Sequence, residues 1–182
     1  MRIIGGQHRG LTLASVGKGD AGAHLRPTPD RVRESLFNVL AGYGLPRGAR
    51  VLDLFSGTGA LALEALSRGA SHATLVDKGR VAQRLIRENL AKARREKDAS
   101  ILSCAADRLP RAEVPCELVF LDPPYGLALG EPALLAAERQ GWLAPDALIV
   151  WEDNRSQDAP EGFQLRDTRR YGDTHITMMH PV

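Results

Sequence analysis

The chain has 182 residues, 43% of them hydrophobic and 25% charged, with a formal net charge of +2. That length supports one domain with a sizeable core, and the composition is that of an ordinary soluble globular protein. No apolar run approaches the ~20 residues of a membrane-spanning helix, and the opening Met1-Arg2-Ile3-Ile4-Gly5-Gly6 is too polar for a signal peptide.

Arg2 to Leu13 reads as a small β-hairpin with a glycine-containing turn. Residues 14–24, rich in Gly, Ala and Ser, read as a mobile loop. Thr28-Pro29-Asp30 predicts a helix start, with Thr28 as N-cap, Pro29 at the first helical position and Asp30 favouring the dipole. Val32, Leu36, Val39 and Leu40 give that helix one apolar face. From Val51 strand and helix alternate. Strands are predicted over 50–55, 73–76, about 100–105, 117–122 and 147–151, and helices over about 59–68, 80–96 and 131–140. Phe163 to Arg169 and His175 to Met179 then both have strand character, with Tyr171-Gly172-Asp173 between them and no helix. The pattern predicts a doubly wound, Rossmann-like α/β sheet, parallel through strand five and finished by an antiparallel β-hairpin.

Basic residues fall in blocks. Arg2, Arg9, Lys18, Arg26, Arg31, Arg33, Arg47 and Arg50 precede Val51; a second block runs from Lys78 to Lys97, and Arg166, Arg169 and Arg170 form a third. Such blocks suit a polyanion, and the guanidinium fork matches phosphate geometry, although solvated helix faces are the favoured reading of the second block. Cys104 and Cys116 are the only cysteines, without metal-ligand spacing around them, and they read as free thiols in a reducing, cytoplasmic setting. No metal site is expected.

Two apolar runs end in conformationally special turns: Val51-Leu52-Asp53-Leu54-Phe55-Ser56-Gly57-Thr58-Gly59-Ala60 and Leu118-Val119-Phe120-Leu121-Asp122-Pro123-Pro124-Tyr125. Buried parallel strands deliver functional groups to the carboxyl edge of a sheet in this way. Gly57 and Gly59 permit positive φ and close approach of a ligand. Gly57-x-Gly59-x-x-Ala62 also satisfies the dinucleotide pattern. Asp53 separates the readings, because a carboxylate there opposes a pyrophosphate at the helix N-terminus but suits the ammonium and sulfonium of S-adenosylmethionine. Asp77, ending the second strand, suits both ribose hydroxyls, as it would in NAD. Asp107, after the third strand, can accept from an adenine amino group or cap a helix. In Asp122-Pro123-Pro124-Tyr125 the prolines remove two donors and leave the Asp122 carboxylate and the Pro123 carbonyl as acceptors. Two acceptors orient an exocyclic amine toward a methyl group, and Tyr125 offers a stacking face for an extruded base.

Taken together, the chain resembles the class I S-adenosylmethionine-dependent methyltransferases, and more narrowly the bacterial RsmD family of 16S rRNA (guanine-N2)-methyltransferases. The resemblance rests on Arg2-Ile3-Ile4-Gly5-Gly6-Gln7-x-Arg9-Gly10, on Arg26-Pro27-Thr28-x-Asp30-Arg31-Val32-Arg33-Glu34-x-Leu36-Phe37-Asn38, on Leu52 to Leu61 with Leu63-Glu64-Ala65-Leu66-Ser67-Arg68, on Leu121 to Tyr125 and on Gly141-Trp142-Leu143. It implies residues 1–25 as an N-terminal β-hairpin extension and loop, and 26–182 as the methyltransferase domain. It implies cofactor contacts from Asp53, Ser56, Gly57, Thr58 and Gly59, from Asp77 with Lys78 at the ribose, and from Asp107 with Arg108 at the adenine. Asp122, Pro123, Pro124 and Tyr125 would receive guanine. Thr28 and Arg31 would sit near the methionine end or the target base, and Arg2, His8, Arg9, Arg26 and Arg31 would contact RNA. The chain departs from the family where Glu-x-Asp is usual after strand two and Asp77-Lys78-Gly79 stands here, which implies a longer or water-mediated ribose contact. His8 stands where an aromatic is frequent.

The implied activity is direct in-line methyl transfer to guanine N2 in 16S rRNA, within an assembled or assembling small subunit, by a monomer, with S-adenosylhomocysteine as product. An adenine-N6 methyltransferase, a Rossmann-type nucleotide-binding module or dehydrogenase, and a catalytically silent RNA-binding protein are the alternatives.

Overall fold

The computed structural model describes residues 1–17, 25 and 27–182. The loop expected over 14–24 falls outside them from residue 18 onward, as does Arg26. In chain order the elements are α1 (Asp30–Gly42), β1 (Arg50–Leu54), α2 (Ala60–Ser67), β2 (His72–Val76), α3 (Arg80–Ala93), β3 (Ala99–Leu102), β4 (Cys116–Leu121), α4 (Gly130–Arg139), β5 (Leu143–Asp153), β6 (Phe163–Tyr171) and β7 (Thr174–Pro181). A short 3-10 turn, Glu96–Asp98, precedes β3.

The strands form one seven-stranded sheet in the order β3-β2-β1-β4-β5-β7-β6. Pairing is parallel from β3 to β5, while β7 is antiparallel to both β5 and β6. The central strands are apolar because both of their faces are covered. Val51, Leu118, Phe120, Leu148 and Val150 pack on the face shared with α1 and α2. Leu52, Leu54, Val119, Leu121, Ile149 and Trp151 pack on the other, against α4. The predicted strand order in sequence is present throughout. The C-terminal hairpin adds a detail that periodicity does not carry: its second strand, β7, inserts beside β5, leaving β6 at the edge. Charged residues of β6, including Arg166, Asp167, Arg169 and Arg170, protect that edge from further pairing.

Strand order reverses between β1 and β4. The chain runs outward from β1 through β2 to β3, then returns to place β4 on the other side of β1. Such a switch point leaves a crevice outside the carboxyl ends of the two strands, where open α/β sheets bind ligands. Both turn motifs open into it.

The start of the chain differs from expectation in two respects. The hairpin itself is formed, with an antiparallel bridge from Arg2 to Thr12 and the backbone bonds Ile3 N–H to Leu11 O, Gly10 N–H to Ile3 O and Leu13 N–H to Met1 O at 2.9, 2.8 and 3.1 Å, and its turn is also held against α2. The N–H groups of Ile4 and Gly5 donate to the two carboxylate oxygens of the fully buried Glu64 on α2, at 2.9 and 2.8 Å. Gln7 N–H donates to Ser67 O, and Ser67 Oγ donates to Gly5 O at 2.6 Å. Gly6, at φ +76°, lies so close that a Cβ would collide with Ser67 O. Ala14, expected in a mobile loop, is held at both backbone groups by Asn89 of α3, whose amide also donates to Thr58 O at 2.9 Å. The second difference is Arg33. Counted by sequence among basic residues available to a polyanion, it is fully buried and donates to Arg2 O and to Asp30 Oδ1, each at 2.6 Å.

Candidate functional site

A cavity of about 980 Å³ lies over the switch point. Its walls come from the segment before α1, the β1–α2 turn, the ends of β2 and β3, the Asp122–Tyr125 turn and the ends of β5 and β7. Of the residues singled out by sequence, Thr28, Asp53, Ser56, Gly57, Thr58, Asp77, Lys78, Asp107, Asp122, Pro123, Pro124 and Tyr125 line it together.

The β1–α2 turn is shaped by three consecutive constraints. Phe55 takes φ +62°, an outlier for a bulky side chain held in place by its surroundings. Ser56 donates to Asp53 O at 2.5 Å and accepts Val76 N–H at 2.9 Å, so its hydroxyl ties β1 to β2. Gly59, at φ +80°, forms the start of α2 behind the cavity wall, and a Cβ there would stand 3.0 Å from Leu75 Cδ2. Only glycine meets both requirements.

Asp53 is 1% exposed and accepts the Ala62 N–H at 3.2 Å. Burial, with a smaller contribution from the Asp77 charge, outweighs that hydrogen bond and pushes its pKa up to about 8. Asp77 bridges the two flanking turns: Oδ2 accepts Gly57 N–H at 3.0 Å and Oδ1 accepts Gly79 N–H at 2.8 Å. A carboxylate has about four acceptor positions, so capacity remains for a ligand. Gly79, the departure from the Glu-x-Asp pattern, therefore orients Asp77 through its N–H. A Cβ at 79 would lie 3.1 Å from Asp77 Oδ1.

Thr28 requires a correction. It does not cap α1, whose first helical residue is Asp30 and whose N-cap is Pro29, with no side-chain cap bond. Instead Thr28 Oγ1 donates to Glu152 Oε2 at 2.8 Å, between residues 124 positions apart. Glu152 went unnoticed in the sequence, although it follows the apolar run Ala147-Leu148-Ile149-Val150-Trp151 as Asp53 and Asp122 follow theirs. Thr174, Phe55 and Cys104 also line the cavity without having been singled out. The Cys104 thiol is pushed up by burial and by the Asp107 charge, which keeps it protonated. Among the described residues, no three His, Cys, Asp or Glu side chains stand close enough to hold a metal.

Other expected contacts lie elsewhere. Arg108 is exposed and outside the cavity lining. Arg2, Arg9 and Arg31 are exposed and His8 half-buried, all away from the cavity wall. Arg2 Nε is 3.8 Å from Asp30 Oδ2, an open surface pair of small energetic weight.

The family model described as "Conserved hypothetical protein 95" matches residues 1–180. Ribosomal RNA small subunit methyltransferase D of Escherichia coli (strain K12) is 41% identical over 160 residues, covering 88% of this chain and 78% of that protein. The chain belongs to the RsmD family. The protein of the same name in Haemophilus influenzae is 34% identical over 178 residues, covering 94% of the RsmD-family chain described here and 89% of its own length. Among solved structures, yhhF from Escherichia coli superposes with a TM-score of 0.84 at 37% identity, covering 100% of this chain and 97% of that one. TrmN from Thermus thermophilus, at 24% identity and a TM-score of 0.67, covers 83% of this chain and 48% of that one and shares the fold. The RsmD-family chain thus has the class I methyltransferase sheet, with its antiparallel C-terminal strands in place.

Proposed function

We propose that this protein transfers a methyl group from S-adenosylmethionine to the exocyclic N2 of a guanine in small-subunit rRNA. The observation that carries the reading is the convergence of Asp53 and Asp122 on one cavity, from adjacent strands at the switch point. The naming of its relatives as ribosomal RNA small subunit methyltransferases supports the substrate class.

The donor set fits the cofactor. Asp53 is a buried carboxylate that ionises fully only beside a cation, and the methionine ammonium supplies one. Asp77, already oriented by Gly57 and Gly79, takes the ribose hydroxyls, and Asp107 on the cavity rim takes the adenine amine. The dehydrogenase alternative fits poorly. Asp53 occupies the Ala62 N–H in the first turn of α2, a donor that a dinucleotide site would turn toward pyrophosphate.

When bound, the cofactor supplies an electrophilic methyl group on a sulfonium. The chain positions the acceptor. Tyr125 stacks the extruded base, and Asp122 with the Pro123 carbonyl accepts the N–H groups of the amine, aiming its nitrogen. The same acceptors stabilise positive charge as it develops on nitrogen, and once the new N–C bond has formed the proton passes to the Asp122 carboxylate and on to solvent. No nucleophilic side chain is required. The exposed Arg2 and Arg9, together with Arg31, contact the RNA backbone away from the cavity, and the protein acts as a cytoplasmic monomer on an assembled or assembling subunit.

The test offers radiolabelled S-adenosylmethionine and unmodified small ribosomal subunits, followed by digestion and identification of the labelled nucleoside. N2-methylguanosine is expected. Label in N6-methyladenosine would refute the guanine assignment, and equal rates on naked RNA and on particles would refute the preference for an assembled substrate.

A further inference from the structure

We infer that Glu152 recognises the N1–H of the target base and thereby makes the site selective for guanine over adenine. The inference deepens the guanine-N2 reading above and rests on it.

The register of β4 and β5 pairs Leu121 with Trp151, so Asp122 and Glu152 follow at the same level on neighbouring strands. Side chains alternate along a strand. Asp122 therefore shares the face of Phe120, and Glu152 that of Val150, which is the face covered by α1 and α2. Both carboxylates line the one cavity. Glu152 is only 5% exposed, and Thr28 Oγ1 fixes one of its oxygens at 2.8 Å. A buried carboxylate is costly to maintain at the end of an apolar strand, and this one is oriented by a residue 124 positions away that lines the same cavity.

The chemistry of the base edge selects the role. Guanine presents N1–H directly beside its 2-amino group. An ionised carboxylate offers acceptors only, so with Asp122 on the amine, a second carboxylate next to it matches the adjacent donor. Adenine presents a lone pair at N1 beside its 6-amino group. Against Glu152, which is 5% exposed, that pairing leaves two acceptors facing each other. A site built to hydrogen-bond a particular donor rejects analogues that lack it far more strongly than an apolar pocket rejects a change of shape.

The experiment uses small-subunit particles carrying either guanine or 2-aminopurine at the mapped target position. 2-Aminopurine keeps the 2-amino group and has no N1–H. The wild-type protein is expected to methylate the guanine particle on the order of 10²-fold faster in kcat/KM, or more. Glu152→Gln keeps an oxygen for Thr28 and offers an amide N–H to the N1 lone pair. It is expected to bring the ratio between the two bases near unity, with S-adenosylmethionine affinity and melting temperature retained. Equal wild-type rates on both bases would overturn the inference without any variant. So would E152Q slowing both bases alike at an unchanged ratio, or E152Q weakening cofactor binding instead. In all of these outcomes N2-methylguanosine still forms on the guanine particle. Its absence from wild-type reactions would sink the guanine-N2 reading itself, and the inference with it.

Discussion

Glu64 grips Gly5: the buried carboxylate on α2 accepts the Gly5 N–H at 2.8 Å, and its other oxygen takes the neighbouring Ile4. Arg68 Nε donates to the same side chain at 2.8 Å, and the Arg68 guanidinium lies 5.0 Å from the Phe37 ring centroid on α1. One carboxylate therefore locks the start of the chain onto the helix that follows the β1–α2 turn.

Glu64→Ala should remove that lock and leave two N–H groups and a guanidinium without their acceptor. A loss of about 3–5 kcal/mol is expected, visible as a lower denaturation midpoint. Hydrogen exchange should rise first at residues 3–13, ahead of the sheet.

Gly59→Ala places a Cβ 3.0 Å from Leu75 Cδ2 at a φ of +80°. It should cost about 1–3 kcal/mol and weaken S-adenosylmethionine binding by roughly tenfold or more, since Gly59 lies directly behind Thr58 and Ala60 of the cavity wall. Gly57→Ala is the companion. It shares a positive φ of +57°, but its nearest side-chain atom is Leu25 Cδ2 at 3.8 Å, so it tests strain without the clash. Titration calorimetry and thermal melting separate the two.

Asp53 links stability to pH. Its pKa rises from 3.8 to about 8 on folding, first through burial. Between those values the folded protein holds a proton that the unfolded chain has lost. Stability contributed by this group is therefore greatest below pH ~4 and falls as pH climbs toward 8, by at most ~1.4 kcal/mol per unit. Asp53→Asn should flatten that part of the unfolding curve in the ligand-free protein. Cofactor binding at pH 7 should release a proton from the wild type, as the ammonium draws the carboxyl into its ionised form. Calorimetry in buffers of different ionisation enthalpy reads this directly, and the Asn variant should show neither the release nor tight binding.

Asp122→Ala should lower kcat by about 10²-fold or more while leaving S-adenosylmethionine affinity unchanged. On the proposed reading its carboxylate acts on the amine, whereas Asp53 and Asp77 serve the cofactor. A parallel loss of cofactor affinity in single-turnover and binding measurements would contradict this division of roles.

Much of this molecule is legible in local sequence. The alternation of strand and helix, the C-terminal pair of strands and both strand-end turns follow from apolar runs closed by Gly, Pro and Asp. Those patterns operate within a few residues and need no partner. Asp53, Asp77, Asp107 and Asp122 could be nominated in the same way, because each ends or closely follows a strand of the sheet's carboxyl edge. The failures share a different character. Thr28 has the composition of an N-cap, yet its hydroxyl bonds Glu152, a residue 124 positions away. Arg33 is basic, yet it is buried against the backbone of Arg2. Ala14 lies in a stretch rich in Gly, Ala and Ser, yet both of its backbone groups are held by Asn89. Sequence by itself determined the elements, their order and the carboxylates at the strand ends. Tertiary structure alone decided that β7 lies beside β5, that Glu152 stands next to Asp122, and that the first residues pack against α2. Those pairings join groups from 22 to 62 positions apart. They are selected by strand register and by the requirement that buried polar groups find partners, neither of which any local pattern encodes.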